Sequence, residues 1–273
     1  MSRVGRALAE TIFDARFSGK ALPDAFPGYE RDPAALAIDL RFKRWARLAG
    51  WLGADLDVLA ALCGTDKFGI HDYTPIYDSM MRPRRRRAVS LLELGVGGYD
   101  SPMGGESLLM WAAYFPRGRI FGIDIADKTH LSAGRVTVFK CSQTDRDSLT
   151  RLCIQAGPFD YIIDDGSHVN RDQIESFGIL WPFVKNGGAY VVEDIQTSYW
   201  PRYGGGVPSS EAYASSCISY FKGLTDSVNS VEFAAADDPR FDRAISHVGF
   251  HHNMIVVTKA QTASRPLATL YAR

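Results

Sequence analysis

Phe159-Asp160-Tyr161-Ile162-Ile163-Asp164-Asp165-Gly166-Ser167-His168 is the stretch on which the fold turns. A short apolar run ends abruptly in two acids, a glycine and a histidine. A second stretch, Ala189-Tyr190-Val191-Val192-Glu193-Asp194, repeats the pattern some twenty-five residues later. Short apolar runs bounded by Gly and Pro read as strands buried on both faces, the hallmark of a parallel sheet. Open α/β sheets bind their ligands at the carboxyl ends of the strands, where both acidic clusters stand. Carboxylates gathered together repel one another unless a cation joins them, and oxygen donors suit Mg²⁺ or Ca²⁺. A histidine three residues past the acid pair then reads as a base beside a metal. Successive strand residues face opposite ways, so Asp164 and Asp165 should point to opposite sides.

Strand-like and helix-like segments alternate outward from this core. Val89 to Leu94, Arg119 to Ile125, Val136 to Phe139, Tyr161 to Ile163 and Tyr190 to Val192 are expected strands, followed by Ser230 to Phe233 and Asn253 to Val257. Helices are expected at Ser107 to Trp111, Asp145 to Ala156, Gln173 to Val184 and Glu211 to Leu224, with Thr144 or Asp145 capping the second of these. Alternation with short connections means an α/β, doubly wound, Rossmann-like sheet, mostly parallel and seven-stranded. Ahead of it, residues 1–60 read as an N-terminal helical segment. Ala7-Leu8, Ile12-Phe13 and Phe17 recur at helical spacing, as do Leu36, Ile38, Leu40, Trp45 and Leu48, with Pro23, Pro27 and Pro33 breaking the chain between. Residues 61–273 then form the main domain.

The first strand runs into Glu93-Leu94-Gly95-Val96-Gly97-Gly98, and Asp124 ends the second. Glycines let the backbone approach a ligand, and the acid can accept from both ribose hydroxyls of an adenosine. The strict G-x-G-x-x-G spacing is absent, because the third position is Asp100. Glu93 also stands where a pyrophosphate would be repelled but a sulfonium or an ammonium would not. The pattern therefore favours S-adenosylmethionine over a nicotinamide dinucleotide. Cys141-Ser142-Gln143-Thr144-Asp145, after the third strand, offers polar side chains to an adenine or caps the next helix.

Bulk properties narrow the classes. The 273 residues hold 31 Lys and Arg against 31 Asp and Glu, so no basic footprint for nucleic acid is expected. No apolar run is long enough to span a bilayer. Cys63, Cys141, Cys153 and Cys217 have no metal-ligand spacing and fit a reducing compartment, so the cytoplasm is the expected location. Arg82-Pro83-Arg84-Arg85-Arg86-Arg87 is read as a solvated lead-in to the first strand. His251-His252 is read as entering the last strand with a structural role, and Tyr199-Trp200-Pro201-Arg202-Tyr203-Gly204-Gly205-Gly206 as a lid over a sugar or a packed loop.

Glu93 to Gly98, Gly104 to Trp111, Asp164 to His168 and Glu193 to Trp200, with Gly64-Thr65-Asp66-Lys67 and the following His71, Tyr73, Ile76 and Tyr77, lie in order along the chain. Together they resemble the metal-dependent class I sugar O-methyltransferases of the mycinamicin VI 2''-O-methyltransferase and demethylmacrocin O-methyltransferase type, and are similar to mycobacterial methylmannose polysaccharide methyltransferases. The resemblance covers roughly residues 62–259. It implies that S-adenosyl-L-methionine and Mg²⁺ serve a saccharide or glycoside acceptor in a homo-oligomer, a dimer or tetramer. It further implies Asp165, Glu193 and Asp194 as metal ligands and His168 as general base, with Lys67, Tyr73, Glu93, Gly95, Gly97, Ser107, Asp124, Gln143 and Asp164 around the methyl donor. The macrolide enzymes carry a large N-terminal auxiliary domain where this chain has its short helical segment. The alternatives are a methyltransferase for a catechol-like diol, an NAD-dependent oxidoreductase and a non-catalytic cofactor-binding subunit.

Overall fold

A computed structural model describes residues 3–17, 44–98, 103–235 and 238–262. The expected helix around Leu36 to Leu40, and the prolines ahead of it, lie outside these residues. Among the described residues the strands form one seven-stranded sheet in the order β3-β2-β1-β4-β5-β7-β6. They are β1 (Ser90–Leu94), β2 (Arg119–Asp124), β3 (Val136–Lys140), β4 (Phe159–Asp164), β5 (Val184–Glu193), β6 (Ile245–His251) and β7 (Met254–Lys259). The chain divides into two compact units.

The first unit, Met1–Val89 with Val96–Lys140, holds α1 (Arg3–Phe17), α2 (44–52), α3 (Leu56–Cys63), α4 (Thr74–Met81), α5 (Glu106–Tyr114) and the parallel pair β2–β3. Its core centres on fully buried Tyr77, Trp111 and Tyr114, with Tyr77 and Trp111 edge to face at 4.9 Å. The arginine run is largely exposed, as the sequence reading has it, and Arg85 is the exception. Arg85 is buried and donates to the carbonyls of Tyr114 at the end of α5 (3.2 Å) and of Gly50 (3.3 Å) and Gly53 (3.2 Å) at the end of α2. A guanidinium matches the orphan carbonyls and negative pole of a helix C-terminus, so this cation closes two helices at once. Arg82 pairs with Asp78 and Asp55.

The second unit, Ser90–Gly95 with Cys141–Arg273, holds β1, β4 to β7, α6 (Arg146–Ala156), α7 (Asn170–Leu180), α8 (Glu211–Ala214), α9 (Cys217–Gly223) and α10 (Thr225–Asn229). β1, β4 and β5 run parallel, β5 and β7 antiparallel, and β6 and β7 form an antiparallel hairpin. Ile162, Ile163, Tyr190, Val191 and Val192 are all fully buried, as continuous apolar runs require. Asp145 caps α6 by accepting from the Ser148 N–H (3.1 Å).

Four elements differ from expectation. Ser230–Glu232 is a 3₁₀ turn, not a strand. Its serine hydroxyl donates back to the Ser227 carbonyl (2.9 Å), continuing the turn of α10, and Phe233 is left exposed. Ile245–His251 is a strand that the apolar pattern hid, because it lies at the sheet edge and buries only its first residue fully. His251 therefore ends β6 and His252 starts the hairpin turn, whose Asn253 adopts φ 58°. The helix expected from Gln173 to Val184 starts earlier, at Asn170, and gives way to a 3₁₀ turn at Trp181–Phe183 ahead of β5. The one expected at Glu211 to Leu224 is broken into α8 and α9. Among the described residues no helix is long and apolar enough to cross a membrane.

Candidate active site

The carboxyl ends of β4 and β5 build the site, all of it in the second unit. Asp165, His168 and Asp194 each bring one donor atom into a group lying within 4.8 Å of one another. His168 Nε2 stands 3.6 Å from Asp194 Oδ2, and both side chains are partly exposed. The two carboxylates of this partly open group offer hard oxygen donors to a divalent cation, with positions left over for an oxygen-bearing acceptor and an imidazole beside them.

The backbone is strained where the chemistry would sit. His168 has φ 56° and Asp194 φ 54°. A non-glycine residue in the left-handed region costs energy unless its surroundings hold it there, and such residues concentrate at functional sites. Asp165 N–H donates to the Leu94 carbonyl (3.0 Å), tying the loop to the end of β1. Gly95 permits this approach, because a Cβ at that position would lie 2.1 Å from the Asp165 carbonyl oxygen. Gln143 Oε1 accepts from the Ser167 N–H (2.6 Å), and Ser167 Oγ donates to Asp172 (2.8 Å) at the start of α7. The Asp194 carbonyl accepts from both the N–H (3.2 Å) and the hydroxyl (2.9 Å) of Thr197.

Asp164 and Asp165 part company as strand alternation requires. Asp164 is fully buried and accepts from Tyr190 (3.0 Å), from Ser176 Oγ and from Gln143 Nε2 (3.3 Å). Burial pushes its carboxyl up to about 6, and the hydrogen bonds from Ser176 and Tyr190 pull against that rise. Glu193 is likewise buried and is not among the three groups that converge. The partners of Asp164, Tyr190 and Ser176, do not stand out in the sequence. A tyrosine inside an apolar strand and a serine inside a helix carry no local signal of their shared partner.

The remaining candidates divide between the units. Glu93 is fully buried at the end of β1 in the second unit. In the first unit, Asp124 accepts from the N–H groups of Val96 (3.1 Å) and Ala126 (2.8 Å), so it orders the loop carrying Gly97, where φ is 74°. Lys67 and Tyr73 are buried there, Tyr73 stacked on His71 at 4.9 Å, and Ser107 opens α5 beside Glu106.

The chain matches no family model. It is 41% identical over 219 residues to 8-demethyl-8-alpha-L-rhamnosyl tetracenomycin-C 2'-O-methyltransferase of Streptomyces olivaceus, covering 78% of this chain and 57% of that enzyme. It is 40% identical over 226 residues to mycinamicin VI 2''-O-methyltransferase of Micromonospora griseorubida, covering 80% and 56%. Among solved structures it superposes on the MycE methyltransferase of the mycinamycin biosynthetic pathway, in complex with Mg and SAH, with a TM-score of 0.72 and 39% identity over 78% of this chain and 56% of that one. A second structure of that enzyme, which also holds mycinamycin VI, gives a TM-score of 0.71 at 37% identity, over 85% of this chain and 62% of that one. The chain thus spans little more than half the length of these relatives.

Proposed function

The close homologues of this chain are sugar O-methyltransferases and its fold is that of the class I methyltransferases, and on that premise we propose that it transfers a methyl group from S-adenosyl-L-methionine to a hydroxyl of a saccharide or glycoside, with Mg²⁺. The observation that carries this reading is the convergence of Asp165, Asp194 and His168 at the ends of neighbouring parallel strands. The nicotinamide-dependent alternative gives way to it.

In this proposal Asp165 and Asp194 hold the cation, and Glu193 is the third ligand that the resemblance assigns. When bound, S-adenosylmethionine supplies an electrophilic methyl and Mg²⁺ acidifies a neighbouring hydroxyl. His168 takes the proton from the acceptor oxygen as the new bond forms. Its Nε2 is the ring nitrogen that faces the cluster, 3.6 Å from Asp194 Oδ2. Lys67, Tyr73, Gly97, Ser107 and Asp124 of the first unit and Glu93, Gly95, Gln143 and Asp164 of the second are the residues we assign to the methyl donor. The division into a helical segment (1–60) and a methyltransferase domain (61–273) belongs to the same reading.

A homo-oligomer, dimer or tetramer, is part of the proposal. It draws support from Trp45, Leu48, Trp51 and Leu52, large apolar side chains that α2 leaves exposed. A cytoplasmic location is supported by four cysteines that are all buried free thiols. The test is a methyl-transfer screen over a glycoside panel, with and without Mg²⁺. Turnover of glycosides that a chelator abolishes is the expected result; turnover of catechols alone, or indifference to chelator, would overturn the acceptor or the metal assignment respectively.

A further inference from the structure

Asn170 is the first residue of α7, two positions past His168, and is 2% exposed. A carboxamide can donate twice and accept twice, and here all four positions are filled within the protein. Nδ2 donates to the carbonyls of Thr197 (3.1 Å) and Tyr203 (2.8 Å). Oδ1 accepts from Ser198 Oγ (3.0 Å) and from the Cys217 N–H (2.7 Å). One side chain thus joins the start of α7 to the 3₁₀ turn after Asp194, to the turn at Pro201–Tyr203 and to the N-terminus of α9.

Thr197 extends the connection to Asp194, whose carbonyl it holds by both its N–H and its hydroxyl. On the far side of these bonds the loop exposes two aromatic faces. Tyr199 is 41% exposed and stacks on Tyr213 at 5.9 Å, and Trp200 is 49% exposed beside Tyr203 at 6.0 Å. Flat aromatic faces suit the apolar face of a sugar ring.

We infer that Asn170 is a positioning residue that locks Asp194 and the aromatic loop at 199–203 to the start of α7, so that the cation cluster and the acceptor platform are set together. The acceptor part rests on the function proposed above; the latch itself rests on the four hydrogen bonds. The Thr197 carbonyl also accepts from the Trp200 N–H (3.0 Å), so the Asn170 amide is the group that ties this turn, and with it the half-buried Tyr203 carbonyl, to α7. Asn170→Asp is the sharpest probe, because it keeps the shape and turns two donors into acceptors facing two carbonyls. Thr197→Val keeps the volume and removes only the hydroxyl on Asp194.

The experiment uses the full chain and three readouts: Mg²⁺ titration by calorimetry, the rate of tryptic cleavage after exposed Arg202, and KM for an accepted glycoside. Asn170→Asp should accelerate Arg202 cleavage, weaken Mg²⁺ about tenfold and raise KM for the glycoside. Thr197→Val should weaken Mg²⁺ while Arg202 cleavage stays at the wild-type rate. A folded Asn170→Asp protein with wild-type Mg²⁺ affinity and wild-type cleavage would overturn the latch. Should that variant not fold, Ser198→Ala replaces it, and unchanged cleavage there overturns the latch equally. A wild-type chain that binds no Mg²⁺ or methylates no glycoside sinks the functional reading, while Arg202 cleavage still judges the latch.

Discussion

The ends of β4 and β5 look alike in sequence, each an acid pair closing an apolar strand, and the fold divides each pair the same way. The last strand residue, Asp164 or Glu193, turns inward and is buried; the next, Asp165 or Asp194, turns out into the cluster with His168. Strand alternation accounts for the division at the end of β4; at the end of β5 the chain leaves the strand at Asp194, whose φ is 54°. The two ends differ in what surrounds the buried acid. Asp164 has Tyr190, Ser176 and Gln143 arranged on its two oxygens, a structural anchor for the loop that carries His168. At the β5 end Gln173 of α7 donates to the backbone carbonyl of Glu193 (3.0 Å), and Thr197 pins the carbonyl of Asp194. In the function proposed, the β4 end would supply the base and one cation ligand, and the β5 end a cation ligand whose carbonyl is held by a turn.

That contrast can be challenged by experiment, starting with the substitution of greatest consequence. His168→Ala should lower methyl transfer on the order of 10³-fold, while S-adenosylhomocysteine binding by calorimetry stays as in wild type. Retained turnover would remove the base from the β4 end. Asp194→Asn should weaken Mg²⁺ by roughly 100-fold in a titration of rate against metal, since a charged oxygen donor is lost. A smaller loss than that of Asp165→Asn would shift the metal towards β4. Tyr190→Phe should cost about 2 kcal/mol in denaturant unfolding, because it strips a donor from a buried carboxylate, yet leave Mg²⁺ affinity alone. A change in Mg²⁺ affinity would mean that the Asp164 network reaches the cation. Glu193→Gln should weaken Mg²⁺ by about tenfold. No change would make Glu193 the counterpart of Asp164, a buried anchor, and the two strand ends equivalent.

Much of the fold and of the site is legible in the amino-acid order alone. The parallel strands are easy to read because a strand covered on both faces must be apolar along its middle, and Leu91–Leu92 of β1, Ile120–Ile123 of β2, Tyr161–Ile163 of β4 and Ala189–Val192 of β5 are. β6 is not, since an edge strand with Ser246, His247 and His251 has little to bury. Ser-Val-Glu-Phe at 230–233 alternates like a strand, but the preceding helix captures it through the Ser230 hydroxyl. The arginine run looks solvated because charge is read residue by residue, whereas Arg85 is buried by carbonyls from two helix ends far apart in sequence. Asp165, Asp194 and His168 are legible as chemistry, since few other reasons gather such residues at strand ends.

Hydrophobic period, glycine placement and the repulsion of neighbouring carboxylates are local rules. They are enough to set the class of sheet, the strand ends at which ligands would bind, and the residue types available there. Three further outcomes belong to the folded chain: which acid of each pair faces the cluster, that His168 and Asp194 are held at positive φ, and that Asn170 joins the two strand ends. The last of these depends on hydrogen bonds between residues about 27 to 47 positions apart. A carboxamide or a hydroxyl carries no mark in its own neighbourhood of the distant carbonyl it will meet.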